Sequence, residues 1–302
     1  MDAQRIVLIL SLAVVSYLLL QAWNEDYGQP VPVTPVSIEQ NTTSTDIVAN
    51  NQPVVTADLP VANQDVQDIP STGAKIKEPL TISQKISVKT DVLSLLIEPI
   101  GGDVSYAALR AYPRIINQPD DPFVLLEHNT ERTYIAQSGL IGTHGPDANP
   151  GGRPRYTASQ NSYSLADGAQ QLVVELNFND QSGVNIVKRY TLQRGDYLMK
   201  VEYLIDNQSA EAWQANFFAQ FKRDNSPDPS ETTSMGMKSF VGAAITSPEQ
   251  RYEKLDFEDF AESPLKLKNT GGWIAMLQHY FVSAWVPEKN LQHTYQTRKN
   301  NK

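Results

Sequence analysis

The chain has 302 residues, no cysteine and a formal net charge of −9. Without cysteine it has no disulfide framework, no thiol nucleophile and no thiolate metal site. The acidic balance and the lack of any block of Lys or Arg argue against nucleic acid as a partner.

The first element is apolar. From Ile6 to Leu20 the run is broken only by Ser11, Ser16 and Tyr17, and Ala22 and Trp23 extend it. As a helix, Ile6 to Trp23 spans roughly 27 Å, close to the hydrocarbon thickness of a thin bilayer. Arg5 precedes it and Glu25 and Asp26 follow, so the positive-inside rule leaves the N-terminus in the cytoplasm and the remainder across the membrane. Trp23 and Tyr27 suit the outer interface, and bulky residues at Leu18 to Leu20 and Trp23 disfavour signal-peptide cleavage. Residues 1–27 are therefore predicted to be an uncleaved transmembrane anchor, with a cleaved secretory signal as the rival.

Residues 28–80 hold seven prolines and no Phe, Tyr or Trp. Such a composition cannot bury enough apolar surface to offset the entropy of ordering. It predicts a disordered tether with a root-mean-square span of about 40 Å.

Residues 81–302 carry 22 Lys and Arg against 25 Asp and Glu, a near balance that leaves much of the net charge to the tether and anchor flanks. Period-two alternation predicts strands near 92–98, 172–179, 184–193, 197–206 and 213–221. Along the third of these the apolar face reads Val184, Ile186, Lys188, Tyr190, Leu192. Trp213, Ala215, Phe217, Ala219 and Phe221 are expected to share one face of the last. Turns at Asp180 to Gly183 and Arg194 to Asp196 join neighbours as hairpins, and no strand–helix alternation appears. The expected fold is an all-β antiparallel sandwich. Two segments stay open. Ser247 to Ala261 reads as a short helix or an edge strand, and Gly271 to Pro287 as a helix or as two strands turning near His279.

No constellation singles out a reaction. His128, His144, His279 and His293 are far apart in sequence, without the spacing of a metal site. Gly139 to Gly145 is glycine-rich, but Pro146, Pro150 and Pro154 follow instead of a helix, so a long surface loop is expected rather than a phosphate cradle. Asp120–Asp121 and Glu258–Asp259 are adjacent pairs, whose side chains point to opposite faces of a strand. Arg194-Gly195-Asp196 reads as a turn, and Asn41 and Asn207 as chance glycosylation triplets. Catalytic, cofactor-binding and metal-ligating residues are accordingly predicted to be none.

Several longer segments carry a resemblance. WNEDYGQ (Trp23 to Gln29), VKTDVLSLLIEPIGGDV (Val88 to Val104), LRAYP (Leu109 to Pro113), YIAQSGLIG (Tyr134 to Gly142), LQRGDYLMKVEY (Leu192 to Tyr203) and GGWIAMLQHYFVSAWVP (Gly271 to Pro287) occur in one order. In these the chain resembles the N-terminal half of the YidC membrane protein insertase family of the bacterial inner membrane. The resemblance implies one transmembrane helix followed by a periplasmic domain with a galactose-mutarotase-like β-supersandwich fold. It implies a non-enzymatic role in inserting and folding inner-membrane proteins. The implied partners are the Sec translocon, nascent membrane proteins and the lipid bilayer, with no cofactor. Mutarotases use a His/Glu pair that cannot be aligned here, and fold alone does not carry activity.

Compared with that family, the domain is expected to be C-terminally incomplete, stopping before its final strands and before the five-helix insertase core. An open sheet edge and no insertion by this chain alone are the corresponding expectations. The alternative function is a membrane-anchored periplasmic carbohydrate-binding or sugar-modifying sandwich.

Overall fold

A computed structural model describes residues 14–18, 59, 84–115, 117–180, 182–229 and 239–300. The chain divides into two units, Met1–Val54 and Val55–Lys302. In the first, residues 14–18 are helical. The rest of the predicted anchor, and all of the predicted tether except Leu59, lie outside the described residues. Among the described residues no helix is long and apolar enough to cross a membrane.

The second unit is built from strands β1 (Ile86–Lys89), β2 (Leu93–Ile97), β3 (Val104–Pro113), β4 (Pro122–His128), β5 (Thr133–Ile141), β6 (Thr157–Ala158), β7 (Ser162–Ser164), β8 (Gln171–Asn179) and β9 (Val184–Gln193). They continue as β10 (Met199–Asn207), β11 (Asn216–Arg223), β12 (Gly242–Ile245), β13 (Glu253–Leu255), β14 (Lys266–Thr270), β15 (Ile274–Leu277), β16 (Val282–Trp285) and β17 (Gln292–Gln296). A seven-stranded sheet has the order β11-β5-β4-β3-β2-β1-β7, and a four-stranded sheet the order β10-β9-β8-β6. A second four-stranded sheet, β13-β12-β15-β16, and the pair β14-β17 follow. All pairings are antiparallel except β1 with β7, which is parallel.

The first two sheets face each other across the core. Inward residues of β8 and β9 (Val174, Leu176, Tyr190, Leu192) pack with Ile86, Val88, Leu95, Ile97 and Tyr134 from the larger sheet. Each such side chain contributes about 1.5–3 kcal/mol on burial. The alternation read from 184–193 is reproduced residue by residue, because β9 lies between β8 and β10 with one face on the core. Gly195, at φ +73°, turns β9 into β10, so Arg194-Gly195-Asp196 is a hairpin turn. The outer side of β10 pairs with no strand among the described residues.

Three expectations need correction or completion. Phe217 does not share a buried face as expected: it is 52% exposed, whereas Phe218 on the opposite face is buried. β11 is an edge strand, and the loop after β5 covers its second face, so apolar residues are needed on both sides. Gly271 to Pro287 forms two strands, β15 and β16, paired from Ile274↔Trp285 to Leu277↔Val282. The turn is closed by the Gln278 N–H donating to Phe281 O at 2.8 Å. Ser247 to Ala261 contains both alternatives, the edge strand β13 and a one-turn helix, Asp259–Glu262.

Candidate functional site

The densest polar constellation among the described residues lies inside the sandwich. The β2–β3 turn runs through Gly101 and Gly102 at φ +71° and +64°, a left-handed pair that glycine adopts without strain. This turn delivers Asp103 into the interior. After β5 a single 3-10 turn, Pro146–Ala148, carries Asp147 back beneath the strand, where Asp147 Oδ2 accepts the Leu140 N–H at 2.9 Å. Arg153 joins the two carboxylates. Its Nε donates to Asp147 Oδ1 at 2.7 Å, and its Nη1 to Asp103 Oδ2. Gln137 Nε2 donates to the same Asp103 oxygen at 2.6 Å.

From the other sheet, Lys188 on β9 donates to Gly101 O at 2.9 Å and to Ser138 O at 3.0 Å. Ser138 O also accepts Arg153 Nη2 at 2.9 Å, so one carbonyl is held by both cations. The Tyr190 hydroxyl donates to Gly102 O. Two carboxylates face two basic side chains, and pairing of this kind is what makes buried charge tolerable. Asp103 Oδ1 alone has no hydrogen bond among the described residues.

Burial sets the electrostatics. It pushes the Lys188 ammonium down to about 7, against the opposing pull of Asp103 and Asp147. It raises Asp147 although Arg153 and the Leu140 N–H favour its charged form. Burial also disfavours the Arg153 cation, but the adjacent Asp103 and Asp147 outweigh it and hold the guanidinium above its ordinary value. Tyr190 and Tyr203 are raised well above theirs by burial. None of these side chains has the nucleophile–base pairing of a reaction centre. The quartet is a clamp that binds the β2–β3 turn, β5, its following loop and β9 together.

The clamp also explains a glycine. A methyl group on Gly139 would lie 2.5 Å from Asp147 Cγ and 2.6 Å from Phe218 Cε1. Gly139→Ala should therefore destabilise the domain by about 1–3 kcal/mol through overpacking. Urea denaturation of the full chain measures this, and an unchanged midpoint would contradict the packing at β5.

On the outside, aromatic rings gather where three chain segments meet. Tyr112, at the end of β3, lies 5.9 Å from Tyr197 of the β9–β10 turn and 5.7 Å from Phe281 of the β15–β16 turn. Phe281 in turn stacks on buried Phe123 at 4.2 Å. These three segments include LRAYP, LQRGDYLMKVEY and GGWIAMLQHYFVSAWVP, so stretches remote in sequence converge on one surface.

A model of the YidC periplasmic domain matches residues 85–302. The chain belongs to that family. A membrane protein insertase YidC of Pseudomonas fluorescens is 48% identical over 305 residues, covering 100% of this chain and 53% of the relative. Those of Pseudomonas syringae and Pseudomonas aeruginosa are 45% and 44% identical, over 99% of this chain. The chain thus spans about half the length of the curated YidC relatives it matches.

Within this YidC periplasmic domain the histidines stay apart. His144 Nδ1 accepts the Gln214 N–H at 3.0 Å, His128 meets Thr133 Oγ1 at 3.3 Å, and His293 Nε2 meets Glu288 O at 3.0 Å. His279 stacks on Tyr280 at 3.9 Å beside an open cavity of about 350 Å³ lined also by Phe240, Tyr252 and Lys254. Its backbone N–H is held by Asp228 Oδ2 at 3.0 Å. Among the described residues no three His, Asp or Glu side chains are grouped to hold a metal.

The surface-loop expectation for Gly139 to Gly145 is corrected in part. Gly139 to Ile141 belong to buried β5, Thr143 and His144 are exposed as expected, Gly145, Pro146 and Asp147 are buried again, and exposure resumes at Ala148 to Gly152. The reason is the clamp, which pulls Asp147 inward. Sequence reading did not assemble Asp103, Asp147, Arg153 and Lys188. One signal was present, since a lysine in the apolar register of β9 must be paired or neutralised.

Proposed function

We propose that this chain is the anchoring and periplasmic portion of a membrane protein insertase. Its N-terminus is cytoplasmic, its main domain is periplasmic, and it works by surface contact with nascent inner-membrane proteins and the Sec translocon. The observation that carries this reading is the 48% identity, across the whole chain, to a protein named membrane protein insertase YidC. The arrangement of the domain supports it: Asp103, Asp147, Arg153 and Lys188 are engaged in a buried clamp, and the exposed features include aromatic and edge-strand surfaces suited to contact. No specific observation favours the carbohydrate alternative.

The test is in-cell photocrosslinking of the full chain during synthesis of a single-span membrane protein. Photoreactive residues replace exposed Leu204, Phe217 and Val282 in turn. Light-dependent adducts to the nascent protein or to a translocon subunit are the expected result. Adducts to neither, at all three positions, would overturn the proposal.

A further inference from the structure

We propose that two copies of this chain associate through β10, whose outer edge pairs antiparallel with the same edge of a second copy about Tyr203. The inference concerns the chain's own assembly and stands apart from any role in insertion. β10 pairs with β9 from Met199↔Leu192 to Asn207↔Val184 without a register shift. On its other side it meets no strand among the described residues, so the N–H and C=O groups of alternate residues point outward along that side. Sheet edges are ordinarily blunted by short length, proline, a bulge or charge. The edges at β6, β7, β13 and β16 are two to four residues long. β10 has nine residues and neither proline nor bulge, so charge is its one safeguard.

Those charges select the occupant. Both copies offer the same alternate backbone groups, so the edges join only where a residue faces one of equal parity. In a pairing centred on Glu202 that carboxylate opposes itself, and in one centred on Leu204 it opposes Asp206. Centred on Tyr203, the whole strand pairs. Lys200 then faces the second copy's Asp206 at both ends, and Val201 faces the second copy's Ile205. Opposite charges or apolar residues set across from each other stabilise a strand pair, and like charges destabilise it. A pairing about Val201 also sets Lys200 against Glu202, but it joins only Met199 to Tyr203. β11, the other long edge, carries Lys222 and Arg223 and no acid, so it lacks this self-complementarity.

The apolar side of the edge agrees. Ile205 lies opposite Ile186 on the core side of the sheet, yet Ile186 is 1% exposed and Ile205 41%. Phe217 of β11, in edge contact with Tyr203 at 5.8 Å, is 52% exposed. A second copy would set its Val201 beside Ile205 and remove that apolar surface from water. On the outer side Lys200 pairs with Glu202 at 2.7 Å, and Asp206 Oδ2 accepts Gln208 Nε2 at 2.7 Å. Lys200 and Asp206 are both exposed, and such solvated local contacts cost little to exchange for a partner across the edge.

The test is sedimentation velocity of the full chain in detergent micelles. The unaltered chain should form a dimer as its concentration rises. Lys200→Glu sets like charges across from each other at both ends and should weaken association about tenfold or more, as should Asp206→Lys. The double variant, Lys200→Glu with Asp206→Lys, exchanges the signs and should restore the dimer. Both positions are exposed, so the fold is expected to tolerate the changes, and an unchanged sheet circular dichroism spectrum verifies it. The absence of cysteine permits a second measurement, of register. Under copper–phenanthroline oxidation a Lys200→Cys chain mixed with an Asp206→Cys chain should form a mixed disulfide, and Lys200→Cys alone should not. In the latter the thiols lie the span of 200–206 apart, roughly 20 Å, too far to bridge. A chain monomeric at every concentration up to about 0.1 mM would overturn the proposal. So would a dimer that Lys200→Glu leaves intact, which would assign association to another surface, or a loss that the double variant does not repair. Equal cross-linking of Lys200→Cys alone and of the mixture would overturn the register and the proposal with it.

Discussion

Replacing Arg153 with methionine should lower the unfolding free energy by about 3–5 kcal/mol, because it strands carboxylates in a low-dielectric interior. The Asp147 side chain is 0% exposed and that of Asp103 8%, and both rely on the one guanidinium. Lys188 compensates only partly, because its hydrogen bonds go to Gly101 O and Ser138 O rather than to either carboxylate. Urea denaturation of the full chain at neutral pH measures the loss. The surface pair of Lys200 and Glu202, at 2.7 Å but with side chains 64% and 36% exposed, is the internal control. Glu202→Gln should cost no more than about 1 kcal/mol. A comparable loss from both substitutions would mean that the Arg153 site is solvated and the clamp is not a buried one.

The second large effect is a pH dependence. In the folded domain Lys188 titrates near about 7 because burial disfavours its ammonium. In the unfolded chain a lysine titrates near about 10.4. Between those values the unfolded chain binds a proton that the folded one has released, so stability rises with pH. The slope from this one group is about 1.4 kcal/mol per pH unit. Below about 7 both states are protonated, and this contribution to the slope vanishes. Lys188→Met removes the titration while keeping most of the side-chain volume. The stability of the wild-type chain relative to Lys188→Met should therefore increase by about 2–3 kcal/mol from pH 7 to pH 9. A difference that stays flat over this range would show that Lys188 remains charged in the fold. A difference that falls would reverse the sign of the coupling.

Strand content was legible where one physical constraint acted alone. In 184–193 each inward position meets the core and each outward position does not, so a period of two appears in the sequence and in the burial pattern alike. In β11 a loop returns over the second face, and the same kind of alternation pointed to Phe217 where Phe218 is the buried residue. The Gly271 to Pro287 segment was ambiguous because apolar residues lie nearly all round it. Pairing of β15 with β12 and β16 selected strands there, and that is a long-range choice.

By itself, the sequence determined the apolar run at Ile6 to Trp23, the proline-rich composition of 28–80, the hairpin turns and the all-β character, because each depends on neighbours within a few residues. It also carried the family, through segments long enough to be specific. The tertiary structure alone decided the clamp and the aromatic surface. Asp103, Asp147, Arg153 and Lys188 are separated by up to 85 residues, and Tyr112 and Phe281 by far more. Nothing local relates their charges or rings. They meet because two sheets pack face to face and their connecting turns fall at shared positions, a geometry set by the summed burial of the core rather than by any one segment.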